Sequence, residues 1–127
     1  MLKVAIVDDE PDLQRLYKLA LASRGYDVAF IANDGTDAVE KNLAGPADII
    51  IMDHRMPTKN GIEATREILS EFPNTGIIFV SADEAVEKEA KEAGAKRFLK
   101  KPISLKDLIK NIEDVAQELG IQSALAD

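Results

Sequence analysis

Four short apolar runs of this chain are each followed by residues whose side chains can do chemistry. The four groups are Asp8-Asp9-Glu10-Pro11, Asp53-His54-Arg55-Met56-Pro57, Ser81-Ala82-Asp83 and Lys100-Lys101-Pro102. Each group alone has a plain structural explanation, because acids suit a helix N-terminus, a serine suits an N-cap and a lysine suits the surface. Their occurrence after four separate runs predicts a shared site of carboxylates, a hydroxyl and an ammonium group.

The carboxylates of this set indicate what the site can bind. If the runs that precede Asp8 and Asp53 form neighbouring strands, about 4.8 Å apart, then Asp8, Asp9 and Asp53 meet in a small volume. Close carboxylates repel one another and raise one another's pKa, so a cation must compensate. A hard divalent ion with oxygen ligands suits this cluster, Mg²⁺ being the usual candidate, and Lys101 adds a mobile positive charge.

The same cluster suits phosphoryl transfer. Asp53 is the candidate nucleophile, because a carboxylate can accept a phosphoryl group as an acyl phosphate. This transfer needs positioning and charge neutralisation more than proton transfer, and a metal ion, Lys101 and the Ser81 hydroxyl supply them. His54 is the single histidine of the chain. Because neighbouring side chains of a strand alternate, we expect His54 to point away from Asp53 and to be packed or exposed.

The elements that position these groups follow from the apolar pattern. Continuous runs without polar alternation indicate strands that are covered on both faces, as in a parallel sheet. The predicted strands are residues 3–7, 28–31, 49–52, 77–80 and the weaker 97–99.

Helical patterns lie between the strands. The first follows the amphipathic spacing of Leu13, Leu16, Tyr17, Ala20 and Leu21. The other four are predicted over about 35–44, 62–72, 84–93 and 105–119. Gly25 is a plausible stop for the first helix, and Ser104 is the expected N-cap of the last.

Five alternating strand–helix units predict an α/β doubly wound fold. Right-handed crossovers bring the carboxyl ends of all strands to one edge of the sheet, and ligands bind beyond that edge. The four chemical groups follow strands one, three, four and five. We therefore expect them to meet at this edge.

Length and composition limit the class of protein. The chain has 127 residues, which favours one domain over residues 1–120 with a tail over 121–127. The absence of cysteine excludes disulfides and thiolate metal sites, and the first apolar run is too short for a signal peptide or membrane span. A cytoplasmic location is therefore expected. The net charge of −7 argues against direct nucleic-acid binding and leaves such binding to a partner or another domain.

A basic run interrupts this acidity. Residues 96–110 contain six basic residues and one acid, Asp107. A solvated face explains such a run, and a docking surface for an acidic partner is the alternative.

In these residues the chain resembles the receiver domains of two-component response regulators over about residues 2–119. The motifs are Asp8-Asp9, Asp53 with Met56-Pro57 and Gly61, Ser81-Ala82, and Lys101-Pro102. The resemblance implies a flavodoxin-like (βα)5 fold, with a five-stranded parallel sheet in the order 2-1-3-4-5. It also implies a signalling phosphoprotein and not an enzyme, beyond self-catalysed phosphotransfer and autodephosphorylation.

The resemblance assigns roles to the acidic residues. Asp53 corresponds to the phosphoacceptor. Asp9 corresponds to the direct Mg²⁺ ligand, and Asp8 to the acid that reaches the metal through water. The backbone carbonyl of Arg55 corresponds to a further metal ligand.

It also assigns the switch residues. Ser81 corresponds to the switch hydroxyl, in place of the commoner threonine. Phe98 corresponds to the aromatic that swings inward on activation, in place of the commoner tyrosine. Lys101 corresponds to the invariant lysine, and we choose it over Lys100 because it directly precedes Pro102. The Lys101–Pro102 bond is expected to be cis.

Arg55 and Asp83 correspond to positions that tune hydrolysis of the acyl phosphate. Their opposite charges predict that they face each other across the mouth of the site. A salt bridge there would shield the phosphoryl group from water. Because exposed ion pairs contribute only about 0–1 kcal/mol, we expect an effect on the rate and not on folding.

The implied partners are a sensor histidine kinase or phosphotransfer protein and a downstream effector or output domain. The expected output surface is the fourth helix, fifth strand and fifth helix, through which a homodimer is also an expectation. A stand-alone regulator and a receiver cut from a longer regulator share this sequence pattern. Two other classes stay open, a small phosphohydrolase with an aspartyl nucleophile and an interaction module with an inert site.

Overall fold

The computed structural model describes residues 1–121, which form a parallel sheet with helices on both faces. The strands are β1 (Lys3–Val7), β2 (Asp27–Ala32), β3 (Ile49–Met52), β4 (Gly76–Ser81) and β5 (Arg97–Lys100). Their order is β2-β1-β3-β4-β5, and every pairing is parallel. The predicted α/β fold and strand order are thus confirmed.

The helices alternate with these strands. They are α1 (Pro11–Ser23), α2 (Gly35–Ala44), α3 (Gly61–Glu71), α4 (Glu87–Ala93) and α5 (Leu105–Glu118). Within residues 1–121, none is long and apolar enough to cross a membrane.

Helix starts and stops follow local chemistry. The side chains of Asp34, Asn60 and Ser104 each accept a hydrogen bond from the backbone amide three residues ahead, at the starts of α2, α3 and α5. Gly94 ends α4 with a φ of 116°, a left-handed conformation that glycine adopts without strain.

The core has two halves because both faces of the sheet are covered. Ile49 and Ile51 of β3 pack on the side of α1 and α5. Ile50 and Met52 pack on the opposite side, against α2, α3 and α4. The continuous apolar run of β3 therefore arises from side-chain alternation between two buried layers.

Two predicted helices differ in detail from the structure. Leu16 is 44% exposed because it lies at the edge of the buried face that Tyr17, Ala20 and Leu21 form. The predicted fourth helix divides into a 3₁₀ turn, Glu84–Val86, and α4.

The chain beyond α5 is only partly described. Ile121 packs against the core, and its amide donates a hydrogen bond to the carbonyl of Ala116. The rest of the predicted tail, residues 122–127, lies outside the described residues. The division at residue 120 stays a prediction.

Candidate functional site

The acidic cluster forms where β1 and β3 end side by side. The Asp53 amide donates to the carbonyl of Val7 at 2.9 Å, and the Asp8 amide donates to that of Ala32 at 3.1 Å. Asp8, Asp9 and Asp53 each offer an oxygen, and these oxygens lie within 4.8 Å of one another. Asp8 and Asp53 are buried and Asp9 is exposed, so the cluster opens to solvent on the Asp9 side.

Lys101 supplies the positive charge of this cluster. Its Nζ lies 3.0 Å from Asp8 Oδ2 and 3.4 Å from Asp53 Oδ1, and its side chain is only 15% exposed. Glu10 Oε1 is a third acidic neighbour, at 3.6 Å. Glu10 was not predicted as a site residue, although its position directly after Asp8 and Asp9 was a signal for it.

The charges of the site perturb one another. Burial raises the pKa of Asp53 to about 6, against the lowering effect of the Lys101 charge. Burial alone would lower the pKa of Lys101, but its hydrogen bond to Asp8 and the Asp53 charge outweigh this and raise it. Lys101 is therefore held as a cation, and Asp53 is predominantly ionised above neutral pH.

The loop after Asp53 is held close by a glycine. A β-carbon at Gly61 would lie 2.1 Å from the Asp53 carbonyl oxygen and 2.9 Å from Cζ of Phe79. The Gly61 amide donates to the carbonyl of His54 at 3.0 Å. Only glycine permits this approach, which explains its place in the motif after Asp53.

Ser81 stands at the end of β4, next to the end of β5. Its carbonyl accepts a hydrogen bond of 2.9 Å from the Lys101 amide. Its buried hydroxyl accepts one of 3.1 Å from the Asp83 amide. The peptide bond between Lys101 and Pro102 is cis. The ends of β4 and β5 are therefore joined at this edge of the sheet, where Lys101 reaches the acidic cluster.

Arg55 and Asp83 face each other, as the sequence analysis expected. Arg55 Nη2 lies 3.3 Å from Asp83 Oδ2, although the Arg55 side chain is 79% exposed. Asp83 Oδ1 also accepts from the Ala85 amide, which starts the 3₁₀ turn. The ion pair joins the loop after β3 to the loop after β4.

Phe98 is part of an aromatic row. Its ring is stacked on that of Phe79, with centroids 6.0 Å apart and planes at 16°. The His54 ring also contacts the Phe79 ring, with centroids 6.0 Å apart in a tilted arrangement. His54 is therefore a packing residue, as expected, and Phe98 is half-buried against the core.

The basic run on residues 96–110 is largely neutralised by nearby acids. Lys100 Nζ lies 2.9 Å from Glu84 Oε1, and Lys110 Nζ lies 3.4 Å from Asp114 Oδ2. A third basic residue of the run is Arg97, which pairs with Glu118. This arrangement favours the interpretation of the run as a solvated face. It also separates the two lysines, because Lys100 turns outward while Lys101 enters the acidic cluster.

The donor set at this edge fits a hard divalent cation. Three carboxylates with oxygens in mutual reach, one of them open to solvent, offer oxygen ligands and leave room for water. A soft metal is disfavoured, because the chain contains no cysteine.

Comparisons with known proteins agree with this geometry. The family model described as the response regulator receiver domain matches residues 4–113. The chemotaxis protein CheY of Thermotoga maritima is 38% identical over 117 residues, which cover 91% of this chain and 98% of that protein.

Solved structures of similar proteins share the fold. The response regulator domain of Thermotoga maritima CheB is 33% identical, with a TM-score of 0.83, over 96% of this chain and 98% of that one. CheY in the CheX–CheY–BeF3–Mg²⁺ complex of Borrelia burgdorferi is 28% identical, with a TM-score of 0.82, over 90% and 88%. The chain belongs to the response regulator receiver domain family of two-component systems.

Proposed function

We propose that Asp53 accepts a phosphoryl group in a two-component phosphorelay. The observation that carries the proposal is the placement of Lys101 Nζ between two buried carboxylates, those of Asp8 and Asp53, beside the exposed Asp9. A structural lysine at this edge would need only one acidic partner. Here Asp8 and Asp53 share one lysine and Asp9 lies beside them, which leaves an excess of negative charge. Such a site suits the binding of a divalent cation, which can in turn hold an anionic phosphoryl group.

Asp8, Asp9 and Asp53, together with the backbone carbonyl of Arg55, would hold Mg²⁺. When bound, the ion neutralises charge on the phosphoryl oxygens and orients them. Asp53 must be ionised to attack. Its pKa of about 6 leaves it chiefly as the carboxylate at pH 7.5 even before the cation adds its own effect.

The transfer itself needs few protein groups. In the proposed step an Asp53 carboxylate oxygen forms a P–O bond as the P–N bond of a phosphohistidine breaks. The departing imidazole keeps the bonding electron pair. Lys101 stabilises the phosphoryl oxygens as a point charge, and no protein base is required because the carboxylate carries no proton to remove.

Phosphorylation would then act on the loop after β4. The phosphoryl group adds about −1.5 to −2 charges and strong acceptor oxygens. The Ser81 hydroxyl would turn toward them and leave the Asp83 amide that it contacts in this structure. The proposed output surface is α4, β5 and α5, with Phe98 as the residue that repacks. This is a population shift between two packings.

Arg55 and Asp83 would set the lifetime of the phosphorylated state. Their ion pair lies across the mouth of the site and limits the approach of water to the acyl phosphate. The pair would affect the rate at which the acyl phosphate is hydrolysed, and not the rate of phosphoryl transfer to Asp53.

The proposed phosphodonor is a sensor histidine kinase or a phosphotransfer protein. The effector is a downstream protein or an output domain of the same regulator. The similar CheY of Borrelia burgdorferi was solved with CheX, BeF3 and Mg²⁺, which supports a protein partner that recognises the activated domain. A homodimer through α4, β5 and α5 is a further proposal.

The decisive experiment is phosphorylation with acetyl phosphate or a phosphorylated kinase, with and without Mg²⁺, read by intact mass and peptide mapping. We expect one phosphoryl group per chain at Asp53, dependent on Mg²⁺ and absent from Asp53→Asn. Asp27→Asn, on the exposed side of β2, is the matched control and should label normally. Labelling at another residue contradicts the proposal, and sustained turnover of a phosphate monoester supports the hydrolase instead.

A further inference from the structure

A polar residue of α1 that neither the motifs nor the proposed chemistry use lies directly behind the acidic cluster. Gln14 is half-buried, and its side-chain Nε2 makes two hydrogen bonds. It donates to the backbone carbonyl of Asp8 at 2.5 Å and to Oδ1 of Asn33 at 2.7 Å. The two acceptors belong to different loops, the one after β1 and the one after β2.

We propose that Gln14, braced by Asn33, is a positioning residue for the divalent-cation site. This inference rests on the proposed function, because it assumes that Asp8 and Asp9 serve a bound cation. Gln14 does not touch the cation. It acts by fixing the backbone from which both carboxylates project.

The bonds around Asp8 show what Gln14 adds. The Asp8 carboxylate accepts from the Glu10 amide at 2.9 Å and from Lys101 Nζ at 3.0 Å. Its amide donates to Ala32. The carbonyl is the remaining polar group of the residue, and Gln14 satisfies it. With this fourth contact the orientation of the peptide that leads into Asp9 is set from both sides.

The chemistry requires an amide at this position. Both acceptors, a backbone carbonyl and an amide oxygen, need a donor, and one NH2 group supplies both hydrogens. A carboxylate has no donor and would repel both oxygens. Mg²⁺ demands near-ideal octahedral geometry, so small displacements of its ligands reduce its affinity. Partners behind the ligands therefore commonly affect metal affinity as well.

The bridge also links the cation site to the start of α2. Asn33 directly precedes Asp34, whose side chain caps α2 by accepting from the Asp37 amide at 2.7 Å. When a bound cation shifts the Asp8–Asp9 backbone, Gln14 passes the shift to the Asn33 side chain, in addition to the backbone hydrogen bond from Asp8 to Ala32. The inference therefore predicts a Mg²⁺ response on the β2–α2 loop, which contributes no ligand.

The test is a titration of the unphosphorylated full chain with Mg²⁺. Isothermal calorimetry measures the affinity, and amide NMR measures the shifts. In Gln14→Ala we expect about three- to tenfold weaker Mg²⁺ binding, the equivalent of one lost hydrogen bond, and a smaller Mg²⁺-induced shift at the Asn33 side-chain amide. Asn33→Ala should show a smaller loss. Gln117→Ala, an exposed glutamine at the far end of α5, is the matched control and should bind as the wild type does.

Gln14→Glu separates positioning from simple electrostatics. If Gln14 only shaped the local charge, an added acid would tighten Mg²⁺ binding. The positioning role predicts weaker binding, no better than that of Gln14→Ala. Thermal unfolding in EDTA identifies any variant that fails to fold, and Asn33→Ala then carries the test.

The outcomes distinguish the inference from the function on which it rests. Wild-type binding that is unaffected by Gln14→Ala and by Asn33→Ala, or tightened by Gln14→Glu, overturns the positioning role and leaves the proposed function intact. A wild type that binds no Mg²⁺, or that binds it equally well after Asp9→Asn, overturns both.

Discussion

At the scale of single residues, the site is a compromise between stability and function. Asp53 is buried beside Asp8, and the single charge of Lys101 faces both carboxylates. Burial is the largest cause of its raised pKa, so ionised Asp53 destabilises the folded chain in the absence of a divalent cation. Packing alone therefore does not explain a buried aspartate at this position.

We therefore expect Asp53→Asn to stabilise the cation-free protein. Native Asp53 keeps its proton to about pH 6, whereas the unfolded chain loses it near 3.8. Stability therefore falls as pH rises through this window, and the loss is complete above it. Asp53→Asn removes the charge, so we expect a gain of about 1–3 kcal/mol at pH 7.5 that vanishes near pH 4. Urea unfolding in EDTA at both pH values measures it, and an equal gain at pH 4 contradicts the explanation.

The Arg55–Asp83 pair predicts an effect on rate alone. An exposed pair contributes about 0–1 kcal/mol, so Arg55→Ala or Asp83→Ala should speed loss of the phosphoryl group about two- to fivefold. The unfolding midpoint should change little in Arg55→Ala, whereas Asp83→Ala also removes the acceptor of the Ala85 amide and should lower it somewhat. Arg15→Ala, which removes a similarly exposed ion pair with Asp12 on α1, is the control. Phosphoryl lifetimes that stay unchanged in both site variants refute the shielding role.

At the scale of elements, the loops and not the helices decide the geometry of the site. The β3–α3 loop returns so closely that Gly61 lies against the backbone of Asp53 and the ring of Phe79. The same ring stacks on Phe98 of β5. Phe79 of β4 thus contacts both the β3–α3 loop and Phe98, the proposed switch aromatic.

Gly61→Ala should therefore destabilise the fold by about 2–4 kcal/mol, because its β-carbon collides with backbone that cannot give way. Gly45→Ala is the matched control. A β-carbon there meets nothing within 4 Å, and we expect a change between zero and a gain of about 1 kcal/mol. Equal unfolding free energies for the two variants would show that the close approach has no energetic weight.

At the scale of the whole molecule, the proposed function requires a signal that crosses the sheet edge from β3 to β5. Ser81 and Lys101 are joined by a backbone hydrogen bond, and Lys100 reaches Glu84 of the 3₁₀ turn. A displacement of the β4–α4 loop therefore changes contacts on both of its flanks.

Beryllofluoride with Mg²⁺ should perturb amide NMR signals across residues 81–110, because the proposed switch displaces the β4–α4 loop, α4 and β5 together. Asp53→Asn should show no such response. Perturbations confined to the strand ends would refute α4, β5 and α5 as the output surface.

The sequence was sufficient for the framework and for most of the site. Its apolar runs located five strands to within about one residue at each end, because burial on both faces leaves a pattern in the chain itself. Leu16 and the fourth helix were predicted less well. How much of a helix face is buried depends on the elements that pack against it, and hydrophobic periodicity does not reveal them. The same is true of the local change to 3₁₀ geometry at Glu84–Val86.

What the sequence determined by itself was that Asp8, Asp9, Asp53, Ser81 and Lys101 follow strands of one parallel sheet, since strand ends and turn chemistry are local properties. Only the tertiary structure decided which groups touch. It directed Lys101 inward and Lys100 to Glu84, stacked Phe79 on Phe98 and set Gln14 behind Asp8. Such contacts join residues as far as 93 positions apart, and they are fixed by strand order and loop conformation, not by neighbours along the chain.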